Sequence, residues 1–239
     1  MVKKAVLTFI FGADKEILRE PLVVDDDVRY VCVTDQPLKS DVWEIRREYF
    51  PFVKSDRDKV ALVKMQPFKY VDAEQVVTID GSLQIKAHLG PLFDEAARHP
   101  IGLKRHPLRA NLEQELPFWV GRGMPKETIR EFERMAERDG VSLSRIPLFE
   151  GCVIAWRNTA FSHALGRSVL KLMERLGDGQ NKLITNQCAL SYVLKQMAPH
   201  TSTYCIDQHK FFKRFLTGPK TMHSPVVRFR PVPDSTYLV

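Results

Sequence analysis

The chain has 239 residues, of which 36 are Lys or Arg and 29 are Asp or Glu, giving a formal net charge of +7 at pH 7. Hydrophobic residues make up 44% and charged residues 27%, a balance that excludes disordered, collagen-like and coiled-coil proteins. No apolar run approaches the roughly 20 residues that a transmembrane helix needs, so we expect a globular chain with no transmembrane segment.

Clusters of β-branched and apolar residues predict strands, and apolar residues with a period near 3.6 predict helices. In chain order, strands are predicted at 4–11, 29–34, 42–46, 75–79, 83–85, 101–105, 151–156 and 226–229. Helices are predicted at 57–70, 88–98, 125–139, 159–176 and 183–197, with a further helix opened by Pro107. Early strands with interleaved helices favour an α/β fold with a mixed or parallel central sheet. We expect one domain over residues 1–239, with an irregular, basic C-terminal segment at 199–239.

The cysteines and the first residues of the chain favour a cytoplasmic protein. Cys32, Cys152, Cys188 and Cys205 form no C-x-x-C pair, so a zinc ribbon or a thioredoxin-like site is not expected. We expect reduced thiols in a cytoplasmic protein. The apolar stretch at 5–12 is short and lacks a small-x-small cleavage site, which favours a buried first strand over a signal peptide.

The C-terminal segment is basic, because no acidic residue lies between Asp207 and Asp234. Its cations are Lys210, Lys213, Arg214, Lys220, Arg228 and Arg230, and they alternate with phenylalanines. Two interpretations stay open: a solvated segment whose aromatic rings pack on the core, or an anion site for phosphates or an acidic polymer. Nucleic acid is the less favoured partner, because no RNP, zinc-finger or helix-turn-helix signature accompanies the charges.

Polar side chains follow several predicted strands, at the edge where open α/β sheets bind ligands. They are Gly12 with Asp14, Thr34 with Asp35, and Asp80 with Ser82. A carboxylate delivered by a strand into a glycine turn could ligate a divalent cation. The alternative is that Asp80-Gly81 is simply the turn of a β-hairpin. P-loop, G-x-G-x-x-G, G-x-S-x-G and H-E-x-x-H motifs do not occur, which disfavours the enzyme classes that they mark.

A second candidate position is His106, which Arg105 precedes and Arg109 follows three residues later. Such a basic trio could hold a phosphate or a sugar hydroxyl. A solvated, basic helix start is the alternative.

These positions fall within a series of short motifs that covers residues 4–197. The series runs Thr8-Phe-Ile-Phe-Gly12, Tyr30-Val-Cys-Val-Thr-Asp35, Pro67-Phe-Lys-Tyr70, Ile79-Asp-Gly-Ser-Leu-Gln-Ile85, His106-Pro-Leu-Arg109, Glu150-Gly-Cys-Val-Ile-Ala-Trp-Arg157 and Asn186-Gln187. In order and spacing it resembles a GT-A-type glycosyltransferase family, the TOD1/MUCI70-like or DUF616 proteins, which includes many bacterial surface-polysaccharide proteins. Asn186 stands where the family has Asp, and Thr78 where it has Trp, so the chain resembles a divergent member.

The resemblance implies a nucleotide-sugar donor, UDP- or GDP-linked, and a glycan or lipid-linked acceptor. It also implies Mn²⁺ or Mg²⁺ at the diphosphate, unless basic side chains replace the metal, since one Asp is fewer than a D-x-D pair offers. The donor residues that it implies are Phe11, Gly12, Thr34, Asp35, Arg57, Lys59, Lys64, Ser82, His106 and Arg109. The implied metal ligands are Asp80 and His223, and the implied catalytic residues are Glu150, Asp80 and Gln187. Glu150 would be the base of an inverting enzyme, whereas a retaining enzyme needs none.

Two other functions remain open at this point. A nucleotidyl- or phosphotransferase with the same site would bind a nucleoside triphosphate instead of a nucleotide-sugar. A non-catalytic protein that binds an acidic glycan or nucleic acid through the basic C-terminal segment would bind polymer in a salt-sensitive way, even without Asp80.

Overall fold

The structure is a computed structural model that describes residues 2–12, 17–53, 55–121, 124–177, 186–197 and 204–215. Its strands are β1 (Val2–Ile10), β2 (Val28–Thr34), β3 (Glu44–Arg47), β4 (Ala73–Asp80), β5 (Leu83–Ile85), β6 (Ile101–Arg105), β7 (Phe149–Arg157), β8 (Tyr204–Cys205) and β9 (Phe212–Arg214). Its α-helices are α1 (Asp56–Met65), α2 (Gly90–Ala96), α3 (Leu116–Gly121), α4 (Lys126–Arg138), α5 (Ala160–Leu176), α6 (Asn186–Met197) and α7 (Gln208–Phe211). Short 3₁₀ turns lie at Pro67–Lys69, Glu113–Glu115 and Leu143–Arg145. No helix among these residues is long and apolar enough to cross a membrane.

A seven-stranded sheet has the order β3-β2-β1-β4-β7-β6-β8. Strand β1 lies parallel between β2 and β4, while β7 runs antiparallel to both β4 and β6. Residues Ala5–Ile10 of β1 are all buried, as expected for a strand covered on both faces. The predicted α/β fold, with a mixed central sheet flanked by helices, is confirmed.

Successive residues of β7 reach opposite faces of the sheet, and each face carries its own helices. Ile154 and Trp156 pack in one core cluster with α4, α5 and α6, whereas Val153 and Ala155 pack in another with α2 and α7. On the first face, α5 crosses α1 at Gly166, where an added Cβ would overlap the backbone carbonyl oxygen of Met65. This glycine therefore sets the close approach of the two helices.

Two helix predictions were wrong next to proline. The helix predicted at 57–70 ends at Met65, because the residue before Pro67 is kept out of the helical region and proline donates no N–H. Pro107 opens no helix, because Nδ1 of His106 accepts the backbone N–H groups of Leu108 and Arg109 and closes a turn instead. The helix predicted at 88–98 is also shorter, beginning at Gly90 and ending at Ala96.

Two predictions for the chain beyond β4 also need correction. Strand β5 pairs with β9 and not with β4, so Asp80-Gly81 is not the turn of a β-hairpin. Residues 204–215 form β8, α7 and β9, where irregular structure was predicted, because Phe211 and Phe212 are buried and anchor the segment. The strand predicted at 226–229 and the first residues of the helix predicted at 183–197 lie outside the described residues.

Candidate functional site

A cleft of about 520 Å³ lies at the edge of the sheet where β1 and β4 end. From β1 the sheet continues to β2 and β3 on one side and to β4 on the other, which makes this edge a topological switch point. The side chains that line the cleft come from four strands, three helices and one loop: Phe9, Arg57, Val60, Lys64, Asp80, His106, Arg109, Glu150, Met173, Asn186, Gln187 and Arg214. Seven of the predicted site residues, from Arg57 to Gln187, therefore share one cleft.

Asp80, the last residue of β4, is paired with Lys64 in the last turn of α1. The Lys64 ammonium lies 2.7 Å from Oδ1 of Asp80 and 5.2 Å from the centre of the Phe9 ring. The lysine side chain is 4% exposed, whereas the aspartate side chain is 29% exposed. The ammonium is therefore almost completely buried against the Phe9 ring and Asp80, while the carboxylate is partly exposed to the cleft.

Glu150, the second residue of β7, lies between two cations. Lys104 of β6 forms an ion pair with its Oε2, and Arg214 of β9 lies 3.7 Å from its Oε1. Burial raises the pKa of Glu150, but the hydrogen bond and charge of Lys104 outweigh burial and hold that pKa below its usual value. Cys152 donates to the same carboxylate at 3.4 Å, and burial raises the pKa of this thiol to about 12. The carboxylate is therefore ionised at neutral pH, and the thiol is not.

A buried carboxylate, Glu115, contacts two of the residues that line the cleft, Arg109 and Gln187. It is 0% exposed and pairs with Arg109, and its Oε1 accepts from Nε2 of Gln187 at 3.1 Å. The Arg109 guanidinium also lies 2.6 Å from Nε2 of His106 and stacks on the ring of Phe118 at 4.2 Å. A buried carboxylate requires such partners, so Glu115 fixes the positions of both Arg109 and Gln187.

Cations exceed carboxylates in the lining of the cleft. Four cationic side chains, those of Arg57, Lys64, Arg109 and Arg214, stand against two carboxylates, those of Asp80 and Glu150. Arg57 is exposed, and no carboxylate of the described residues lies within ion-pair distance of it. This balance suits an anionic ligand.

The other predicted donor residues lie outside the lining of the cleft, most of them at the ends of β1 and β2. Lys59 bonds Asp35 at 2.8 Å, the N–H of Gly12 donates to the same carboxylate at 3.3 Å, and Lys59 lies 5.7 Å from the Phe11 ring. Burial raises the pKa of Asp35, but Lys59 and the Gly12 N–H outweigh it and lower that pKa.

Thr34 and Ser82 are engaged in local structure. Thr34 is fully buried and its hydroxyl accepts the N–H of Gln36, while the carbonyl oxygen of Ser82 accepts the N–H of Phe215.

A divalent cation such as Mn²⁺ or Mg²⁺ requires several oxygen ligands. Of the two carboxylates in the cleft, Asp80 bonds Lys64, and Glu150 is held by Lys104 and Arg214. No group of three His, Cys, Asp or Glu side chains among the described residues could hold a metal ion. His223 and Asp14 lie outside the described residues. The donors that the structure describes therefore do not fit a divalent metal.

No family model and no curated protein matches the sequence. Among solved structures, the chain is similar to the apo form of mouse xyloside xylosyltransferase 1, with 12% identity and a TM-score of 0.49 over 87% of this chain and 86% of that chain. It is also similar to two structures of the glycosyltransferase GlyE from Streptococcus pneumoniae TIGR4, with 11% and 13% identity and TM-scores of 0.47. These two alignments cover 87% of this chain but only 46% of the GlyE chain. We therefore infer the ligand of the cleft from the residues that line it.

Two charged residues of the site, Lys104 and Glu115, were missed in the sequence. Strand β6 reads as a short apolar strand that ends in two basic residues, and nothing in that pattern separates Lys104 from Arg105. The roles of Lys104 and Arg105 differ because the pairing of β6 with β7 is irregular between Leu103 and Lys104. This irregularity places Lys104 opposite Glu150. Such bulges re-aim side chains, and they depend on the partner strand as well as on the local sequence.

Proposed function

We propose that the chain is a GT-A-type glycosyltransferase that moves a sugar from a UDP- or GDP-linked donor to a hydroxyl of a glycan or lipid-linked acceptor. The observation that carries the proposal is the position of the cleft. It joins Asp80, an excess of cations and the carboxylate of Glu150 at the switch point of the sheet, where a nucleotide binds in open α/β folds. A volume of about 520 Å³ is within the range of small-ligand sites.

Charge supports a diphosphate as the anion. Guanidinium groups bind phosphate oxygens with two parallel hydrogen bonds, and Arg57 and Arg214 are the exposed guanidinium groups of the cleft. Phe9 and Val60 supply an apolar wall beside them. The nucleoside diphosphate would lie against α1 and the end of β4, with the sugar directed toward Glu150 and Gln187.

In the transfer, the bond between the anomeric carbon and the donor's phosphate oxygen breaks, and its electron pair leaves with the nucleoside diphosphate. The oxygen of the acceptor hydroxyl forms the new bond to that carbon and loses its proton. In an inverting reaction Glu150 would accept this proton, since its carboxylate is ionised at neutral pH. In a retaining reaction the proton would pass to the oxygen of the leaving diphosphate, and Glu150 and Gln187 would only position the sugar and the acceptor.

A thermal-shift screen of UDP, GDP, CDP and ADP, alone and with their common sugars, tests the proposal. A ligand at 100 times its Kd adds about 2.7 kcal/mol to the stability, which is easily measured. We expect one nucleoside diphosphate and its sugar conjugates to stabilise the chain, with Glu150→Gln retaining that binding. If no nucleotide stabilises it, the proposal is wrong, and an acidic polymer bound by the exposed Lys210 and Lys213 becomes the better hypothesis.

A further inference from the structure

The ammonium of Lys64 is bonded to the carboxylate of Asp80 at the end of β4, the carboxylate that a metal ion would need as a ligand. It is almost completely buried, between the Phe9 ring and Asp80, and its hydrogen bond to Oδ1 of Asp80 is 2.7 Å long. A buried ammonium is costly without a carboxylate partner, so this bond is maintained by the fold. A metal ion would have to compete with Lys64 for the same carboxylate.

Glu150, the second carboxylate of the cleft, is no more available to a metal ion than Asp80 is. Lys104 and Arg214 both lie against Glu150, and together they hold its pKa low. In the described part of this cleft, ammonium and guanidinium groups therefore neutralise the negative charges of both carboxylates.

Arginine side chains line the same cleft as Lys64. Arg57 and Lys64 are seven residues apart on α1, which places them two helical turns apart on one face, and both line the cleft. Arg57 is exposed, and Arg214 contacts Glu150 only at 3.7 Å, so both guanidinium groups can reach a ligand. The guanidinium of Arg109 is already engaged by Glu115, by Nε2 of His106 and by the Phe118 ring, whereas the ammonium of Lys64 keeps N–H donors beyond the one that Asp80 accepts.

We propose that Lys64, Arg57 and Arg214 neutralise the diphosphate of the donor in place of a divalent cation, so that the donor binds without metal. This inference rests on the proposed glycosyltransferase function. Lys64 holds Asp80 in place and presents its remaining N–H donors to the diphosphate, and the two arginines bind its oxygens from the open side. The positive charges of these three side chains stabilise the leaving diphosphate as its negative charge grows, and they do so without the ligand geometry that a metal ion requires.

The test is the affinity for UDP and for GDP, measured by titration calorimetry in EDTA and again in Mn²⁺. We expect the Kd of the nucleotide that binds to agree within about threefold between the two buffers. Arg57→Gln should weaken binding about tenfold in EDTA, and Mn²⁺ should not restore it. The matched control is Arg130→Gln, which removes an exposed arginine of α4 outside the lining of the cleft and should leave the Kd unchanged.

Lys64 is tested by the paired variant Lys64→Met with Asp80→Asn, which removes both charges and leaves no buried ammonium unpaired. Its circular dichroism should match that of the wild type, and its Kd in EDTA should rise about tenfold. Binding that is at least tenfold tighter in Mn²⁺ would overturn the inference and leave the proposed function standing. Wild-type affinity in both the Arg57 and the paired variants would also overturn it. If neither nucleotide binds in either buffer, the proposed function and the inference both fail.

Discussion

The Lys64–Asp80 pair should respond asymmetrically to mutation, because its two side chains differ in exposure. Asp80→Asn leaves an ammonium that is only 4% exposed without its counter-charge, and breaking a buried pair in this way costs about 3 kcal/mol. Lys64→Met leaves a carboxylate that is 29% exposed and can be hydrated, so we expect a loss of about 1 kcal/mol. The variant with both changes should also lose about 1 kcal/mol, because no charge is left buried.

Urea-induced unfolding at pH 7, followed by tryptophan fluorescence, measures these losses. In thermal unfolding a difference of about 2 kcal/mol between the two single variants corresponds to roughly 4–8 °C for a chain of this size. Asp35→Asn is a matched control, because its partner Lys59 is 18% exposed and keeps a second carboxylate, Asp56, at 3.0 Å. That change should cost less than about 1 kcal/mol. Equal losses in Asp80→Asn and Lys64→Met would refute the argument from exposure.

Two further predictions follow from a helix crossing and from a titrating carboxylate. Gly166→Ala should destabilise the chain by about 3 kcal/mol in urea unfolding, because its Cβ would overlap the Met65 carbonyl, whereas Gly90→Ala, with open space around it, should not destabilise it. Equal effects would show that α1 and α5 can separate freely. Since the pKa of Glu150 is lowered by Lys104, its contribution to stability is complete above a pH of about 4.3 and is lost as the pH falls through the folded-state pKa. Lys104→Met should therefore lose most stability at pH 7 and approach the wild type only when the pH falls below the lowered folded-state pKa of Glu150; parallel pH profiles would contradict this.

Local sequence was sufficient to predict the elements whose stability is local. The continuous apolar run of β1 predicts a buried strand, and Thr159 predicts the start of α5, where its hydroxyl accepts the N–H of Ser162. The pairing of β5 could not be predicted in this way. Its partner β9 follows more than a hundred residues later, and a three-residue strand has no periodicity that could choose between β4 and β9.

The same distinction applies to the site. The end of β4 was predicted correctly as a polar strand end, and the cleft places Asp80 there together with six other predicted residues. Glu115 was missed because its role depends on burial, and it follows Glu113 and Gln114 in what reads as a polar turn. A hint is the apolar run Leu116-Pro-Phe-Trp that comes directly after it, since a carboxylate next to a buried segment needs a cation.

The distribution of cations favours a small anion over an acidic polymer as the ligand. A polymer is bound by a row of exposed cations that tracks its backbone, and salt weakens that binding strongly. In the described residues, Lys210 and Lys213 are exposed on the outer side of the C-terminal segment, but the aromatic rings between them are buried in the core. Arg214, the next cation, lines the cleft instead. Because β9 pairs with β5, which begins three residues after Asp80, Arg214 becomes part of the cleft and joins the described part of the basic segment to the switch point of the sheet. Arg57, Lys64 and Arg214 thus line one cleft of about 520 Å³, as the proposed binding of a diphosphate requires.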